Sequence, residues 1–211
     1  SSLKKYRFLD RITNQLNGYD YSLFSHIPPN PDVEDILELK EKTDSYEYNF
    51  IVAVGGGSII DAAKSLAAFK GLKLQSPQDV RQIIQEKGYQ KKKVSTCPLF
   101  AIPTTAGTGS EVTSWATVWD KEKKAKYSIE NIDLYPKAAI IDPELTLNLP
   151  AQMTASSALD AISHAAEAYW SKNSNEIVRI YALKAISNIV KNLETLLDNL
   201  DDINLRTSVA M

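Results

Sequence analysis

The stretch "NFIVAVGGGSIIDAAKSLAAFKG", residues 49–71, constrains the fold of this chain more than any other. "NFIVAV" (49–54) is a compact, β-branched apolar run, which reads as a buried strand. Gly55, Gly56 and Gly57 then turn the chain, and 58–71 reads as a helix that Gly71 stops. Ser58 with Asp61 three residues on resembles a capping box at its start. A strand that feeds a helix through a tight turn is the repeating unit of a parallel sheet, whose strands need a crossover between them. The same corner is an anion site in outline. Glycine lets a phosphate approach the backbone, and the first helical N–H groups are unpaired at the positive end of the dipole. The spacing is neither G-x-G-x-x-G nor the P-loop pattern. A plain turn before a packed helix, with Asp61 and Lys64 as helix-surface residues, would use the same letters.

The rest of the chain extends this pattern. Residues 3–16 have apolar positions at helical spacing, and "YDYSLFS" after Gly18 reads as a short strand. "HIPPNPD" can continue neither, because its prolines fix φ and lack an N–H, and a helix runs from Pro31 or Asp32 to about Asp44. "PLFAIPTT" (98–105) is a second buried strand. "VTSWATVWD" (112–120) and "KAKYSIEN" (124–131) form a hairpin about the charged turn "KEKK", and "KAAIIDP" (137–143) is a further strand. From about Ala151 onward the spacing is helical throughout. The expectation is an α/β fold: a parallel-sheet domain over 1–150, then the start of an all-α domain over 151–211.

Two further stretches carry chemistry. "AIPTTAGTGSEVT" (101–113) is a strand ending in glycines and small hydroxyl residues, so two such loops flank one crevice at the carboxyl ends of the strands. Thr104, Thr105, Thr108, Ser110 and Thr113 can hydrogen-bond a phosphate or a carboxamide, or simply each other. In "TASSALDAISHAAEAYW" (154–170), Asp160 and His164 stand four apart and share a helix face. The pair can be two ligands for Fe(II), Zn(II), Co(II) or Ni(II), or a cap or ion pair of purely structural meaning. With only His26 and His164 present, a three-histidine site is excluded, and His26 in "SHIPPNP" reads as a surface residue.

Composition narrows the classes. A net charge of -2, with "QKKKV" (90–94) as a solvated turn and the only basic cluster, gives no nucleic-acid or membrane surface. No apolar run is long enough to span a bilayer, and no signal peptide is visible, although the sequence does not begin with Met. The single cysteine, Cys97, reads as a buried inert thiol and fits a cytoplasmic protein.

"GGGSIIDAAK", "PTTAGTGSEVT", "IIDPELTLNLP", "LDAISHAAEAYW" and the "PNP" of "HIPPNPDVEDI" occur in one order along the whole chain. Together they resemble the iron-containing, or group III, metal-dependent alcohol dehydrogenases. That resemblance implies a dehydroquinate synthase-like two-domain architecture, an NAD(P)-binding α/β domain followed by a helical one, with a metal ion between them. It implies cofactor contacts at Asn30, Gly56, Gly57, Ser58, Thr104, Thr105, Thr113 and Lys126, and metal ligation by Asp160 and His164. The cofactors would be NAD or NADP and Fe(II), or Zn, Co or Ni in its place. The partner would be a small alcohol or aldehyde, with a homodimer among the assemblies to expect. Family chains are roughly twice this long. The resemblance therefore implies a fragment, which lacks the family's first strand before it and two ligand histidines after "INLRTSVAM". In "SSALD" the chain departs mildly from members with a glycine before the aspartate. "TSWATVWD", "KAKYSIE" and "EAYWSKNSN" look most like the phosphonoacetaldehyde reductase branch, with a generic primary-alcohol or short-diol dehydrogenase equally open. A dehydroquinate-synthase-like lyase and an inactive nucleotide-binding fragment are the alternatives.

Overall fold

The computed structural model describes residues 8–91 and 97–210. The order along the chain is α1 (Phe8–Gln15), α2 (Val33–Asp44), β1 (Ile51–Gly55), α3 (Gly57–Phe69), α4 (Pro77–Gln85), α5 (Gly88–Lys91), β2 (Leu99–Pro103), β3 (Trp115–Asp120), β4 (Ala125–Glu130), β5 (Ala138–Ala139), α6 (Ala151–Trp170), α7 (Glu176–Asp198) and α8 (Ile203–Ala210). β1, β2 and β5 form a parallel sheet in that spatial order. β3 and β4 form the expected antiparallel hairpin, Trp115 opposite Glu130 and Asp120 opposite Ala125. Its "KEKK" turn closes with Lys124 at φ 49.

The register of β1 and β2 decides where the loops go. Gly55 lies opposite Pro103, so both strands end together and both following loops leave from one edge. Thr104 N–H donates to Gly55 O at 3.0 Å and fastens the second loop to the first.

α3 is buried almost all round, against the sheet on one side and against β3 and α2 on others. That is the behaviour of an apolar, small-residue helix in the middle of a domain. Ile60, Ala63, Ala53, Leu99 and Ala101 form the cluster between helix and sheet. Phe69, Val33, Ile36, Val80, Tyr89, Val118 and Ile129 form the larger one under the hairpin. Each fully buried large side chain there contributes about 2 kcal/mol. α3 stops where Gly71 takes φ +74, as its sequence position implies.

Several expectations are corrected. "YDYSLFS" pairs with no strand among the described residues, and Tyr19, Tyr21 and Leu23 are exposed. The 137–143 strand shrinks to two paired residues, although Lys137 and Ile140 N–H still bond Leu99 O and Ala101 O. Ile140 and Ile141 face solvent, so no further packing holds the edge. Ser58 and Asp61 are not a capping box. Gly56 is the N-cap, with no side-chain bond, and Ser58 lies inside the helix. The capping boxes are elsewhere, Asp32 with Asp35 on α2 and Ser76 with Asp79 on α4, a helix the periodicity did not bring out. Of the 3–16 helix, residues 8–15 are described. The lysines of "QKKKV" at 92–94 lie outside the described residues.

Pro150 precedes α6, where the helical part begins. α6 and α7 pack side by side and α8 closes on them. A buried arginine fastens this part to what precedes it. Arg206 donates to Thr154 Oγ1 at 2.8 Å, Leu200 O at 2.8 Å and Leu149 O at 3.1 Å. No helix among the described residues is long and apolar enough to cross a membrane.

Candidate functional site

One cleft of about 2040 Å³ opens between the ends of β1 and β2, the hairpin and α6. Asn30, Gly56, Gly57, Ser58, Thr104, Thr105, Thr113, Lys126, Asp160 and His164 all line it, although they come from five separate stretches of sequence.

The glycine corner owes its properties to what it lacks. α2 and α4 begin with side-chain caps and acidic first turns, whereas α3 has neither. Its amides at Ile59 and Ile60 bond back to Gly56 O, at 3.0 and 3.2 Å, while those of Gly57 and Ser58 are left to the cleft. Free N–H groups, a positive dipole end and no nearby carboxylate at the start of the helix suit an anion. A Cβ on Gly56 would stand 3.2 Å from Thr105 Oγ1, and one on Gly57 3.0 Å from Thr108 Cγ2. The two loops are therefore in contact only because these residues have no side chain. Asn30, at φ 53, donates its N–H to Ser58 Oγ at 3.0 Å, which leaves the Ser58 hydroxyl proton free to donate.

Asp61 and Lys64 are not surface residues. Lys64 is 0% exposed, and burial pulls its pKa down to about 8 against the pull of Asp61 and Glu111. Burial also pushes the Asp61 carboxyl up, although Ser110 Oγ (2.6 Å) and Thr117 N–H (3.0 Å) both donate to it. Lys64 Nζ donates to Thr113 O at 2.7 Å and stands 3.2 Å from Thr113 Oγ1, so this expected cofactor residue is already engaged from below. Lys126 reaches over the cleft wall with its Nζ 5.5 Å from the Trp119 ring centroid, a cation–π contact that steadies an exposed ammonium.

On the opposite wall, Asp160 Oδ1 and His164 Nε2 are 3.7 Å apart, with side chains 47% and 54% exposed. One carboxylate oxygen and one imidazole nitrogen on one helix face are a donor set that Fe(II), Zn(II), Co(II) or Ni(II) accepts. They fill half of a four-coordinate shell, and among the described residues no cluster of three or more His, Cys, Asp or Glu completes one. The hydroxyl loop touches this wall directly. Gly107 has φ +136, and a Cβ there would fall 2.0 Å from Ser157 O on α6, one turn before Asp160.

Sequence reasoning missed the burial of Asp61 and Lys64 and the seat at Gly107. Two charges three apart in an otherwise apolar helix were the available signal for the first. His26 is exposed, and Cys97 is buried with its thiol pushed up by burial, both as read from the sequence.

Comparison with known proteins agrees with this geometry. Residues 1–143 match the iron-containing alcohol dehydrogenases, and residues 154–211 match the C-terminal part of the Fe-containing alcohol dehydrogenase family. The chain is 37% identical over 206 residues to an aldehyde-alcohol dehydrogenase of Streptococcus pneumoniae, covering 92% of this chain and 23% of that protein. It is similar to the structure of NADH-dependent butanol dehydrogenase A from Thermotoga maritima, with 32% identity, a TM-score of 0.86, and 99% of this chain against 51% of that one. It is similar also to a sulfoacetaldehyde reductase from Bifidobacterium kashiwanohense in complex with NAD+, with 30% identity, a TM-score of 0.87, and 99% against 54% coverage. The chain thus spans about half the length of those two proteins and less than a quarter of the first. A glycine corner, a hydroxyl loop and an aspartate–histidine helix around one cleft, together with matches over both parts, place this chain in the iron-containing alcohol dehydrogenase family.

Proposed function

We propose that these residues form the dinucleotide side, and two metal donors, of an enzyme that passes hydride between NAD(P) and a primary alcohol or aldehyde. Residues 1–150 would carry the dinucleotide and 151–211 the donors. One observation carries the reading: the uncapped start of α3 and the Asp160–His164 face open into one cleft. When bound, a divalent ion polarises the substrate oxygen and the nicotinamide carries the hydride.

The chain's own residues do the rest. Gly57 and Ser58 N–H groups hold the pyrophosphate, and Gly56 lets it approach. Thr104 and Thr105 present hydroxyls from the facing loop, and Thr113 shapes the loop's far end. Asn30 fixes the Ser58 hydroxyl through its N–H. Lys126 sets a cation at the rim, which suits a ribose-phosphate or an anionic substrate. Asp160 lends negative charge and His164 a neutral nitrogen to the ion. Met153 on α6 and Trp115 on the hairpin add apolar surface to the cleft. The sulfoacetaldehyde reductase neighbour acts on an aldehyde with an anionic tail, which supports phosphonoacetaldehyde as one substrate to assay beside simple primary alcohols.

The test uses the full-length protein loaded with Fe(II) or Zn(II) and offered NAD+ or NADP+ with each alcohol. His164→Ala should lose the ion by metal analysis and lower turnover at least ~100-fold, the lower end of the effect expected when a ligand's outer partners alone are worth 10–100-fold. NADH binding, read by fluorescence, should stay. Unchanged metal content with unchanged alcohol-dependent NAD(P) reduction would remove the assignment.

A further inference from the structure

We propose that Lys64, sealed beneath the cleft and outside its lining, is a positioning residue that holds the 104–114 loop in the shape that receives the dinucleotide. This inference rests on the dinucleotide reading of the cleft.

An ammonium has three N–H donors, and here they meet three backbone carbonyls: Ser110 O at 2.6 Å, Thr113 O at 2.7 Å and Trp115 O at 2.8 Å. These acceptors lie 46 to 51 residues away in sequence, and all three residues line the cleft, whereas Lys64 does not. One turn earlier on α3, Asp61 takes the complementary groups, Ser110 Oγ–H at 2.6 Å and Thr117 N–H at 3.0 Å. A cation for the carbonyls and an anion for the N–H and O–H groups grip residues 110–117 from one helix face. Among the described residues no carboxylate lies within ion-pair distance of Lys64 Nζ. A buried charge without a paired carboxylate is unfavourable unless its hydrogen bonds are complete, and a methionine of similar length would fill the same space without it. What the charge supplies is convergence of three donors on the turn that leads into β3.

The loop is then fixed at three points. Its start is tied to β1 by Thr104 N–H and Gly55 O. Its end is tied to α3 by Lys64. Its tip is seated on the α6 backbone through Gly107 and Ser157. A change at Lys64 therefore releases the far end of the loop, and Thr113 with it, without removing any group that touches the cofactor.

The charged groups facing Lys64 are Asp61 on its own helix and Glu111 on the loop, and Lys126 from β4 faces Asp61. The neutral amine keeps two N–H groups, so one carbonyl loses its donor above about pH 8. The unfolded lysine keeps its proton to about 10.5, so between these values the contribution of Lys64 to global stability rises with pH. Loosening of the loop in that range is thus distinguishable from unfolding.

The experiment measures NADH binding by fluorescence, and hydrogen exchange over 104–114, in the full chain at pH 7 and pH 9. Lys64→Met should weaken NADH binding at pH 7 at least ten-fold and speed exchange in 104–114, with exchange in α6 unchanged. Wild-type affinity should fall about five-fold from pH 7 to pH 9, as the competent fraction falls, while Lys64→Met stays flat. Should Lys64→Met fail to fold by circular dichroism, Ser110→Ala, which removes only the hydroxyl on Asp61, should still weaken NADH about three-fold and speed the same exchange. Folded Lys64→Met with wild-type affinity, or Ser110→Ala with wild-type affinity and exchange, overturns the inference alone. Wild-type protein that does not bind NADH overturns the reading of the cleft and this inference with it.

Discussion

One wall of the cleft stands on buried, hydrogen-bonded charge, the other on two helices that bury little. Under the glycine corner, Lys64 and Asp61 hold α3 to the loop and hairpin, and behind the hairpin Arg81 on α4 holds Asp120. Across the cleft, α6 buries only Thr154 and Ala158, and α7 only Ala182, Ile189 and Leu196. Leu159, Trp170, Ile177, Ile180 and Tyr181 are exposed there. The difference bears on function. The proposed dinucleotide site needs backbone amides held in place, and the wall that carries them is buried and hydrogen-bonded within the chain. The two proposed metal donors, Asp160 and His164, sit half exposed on a helix held by Arg206 and by the Gly107 seat.

Equal deletions on the two sides sharpen this contrast most. Ile60, on α3, is 0% exposed, and Ile189, on α7, is 4% exposed. Ile60→Ala should cost about 4 kcal/mol, since helix and sheet cannot close on the space, and Ile189→Ala about 2 kcal/mol, because two helices can move together. Urea unfolding of both variants measures this. Equal costs would mean that the helical wall is packed as firmly as the other.

The next effect comes from the ion cluster behind the hairpin. Arg81 Nε donates to Asp120 Oδ2 at 2.7 Å and its Nη2 to Oδ1 at 3.2 Å, with Glu122 and Glu34 also on the guanidinium. Asp120→Ala leaves a buried guanidinium with exposed partners only, and the thermal midpoint should fall by ~8 °C. Hydrogen bonding from Arg81 holds the Asp120 carboxyl down to about 2, from an ordinary value of 3.8. A depressed carboxylate contributes stability above its unfolded pKa, and that contribution is lost as pH falls from about 4 toward 2. Scanning calorimetry from pH 5 to pH 2 should show a steeper loss for wild type than for Asp120→Ala. Parallel curves would mean that this pair does not support the wall.

The uneven support also explains what could be read from the letters. Strand, glycine corner and helix were legible because 49–71 changes from β-branched to glycine to small apolar residues within a few positions. The hairpin was legible from its alternation about "KEKK". The cleft followed, since loops at the carboxyl ends of adjacent parallel strands must be neighbours. Lys64 was not legible as a buried residue, because its acceptors are backbone carbonyls more than forty residues away, and carbonyls have no letter. α4 was legible too, since "SPQD" holds both a capping box and Pro at the first turn, but it is missing from the elements expected above. "YDYSLFS" showed the opposite error. Alternation states what a strand could bury, and here Tyr19, Tyr21 and Leu23 stay exposed, so no buried face fixes the segment as a strand.

The smallest expected effect decides whether the contrast is a property of these residues or of this length of chain. Tyr181 is 72% exposed on α7, and Ile177 and Ile180 beside it are exposed too. Tyr181→Lys within these 211 residues should move the thermal midpoint by less than ~2 °C, as surface changes do. Large apolar side chains at three- and four-residue steps on one face are, however, what a covered surface leaves when its cover is absent. The same substitution should therefore be made in a longer protein containing this chain, with the midpoint and the sedimentation coefficient measured together. If both stay put, the open wall is intrinsic and the aspartate–histidine helix stays as exposed as it is here. If the midpoint falls several times further, or the assembly comes apart, that face is packed in the longer protein. The proposed metal donors would then be held as firmly as the glycine corner, and the comparison between the two walls would hold for this length of chain alone.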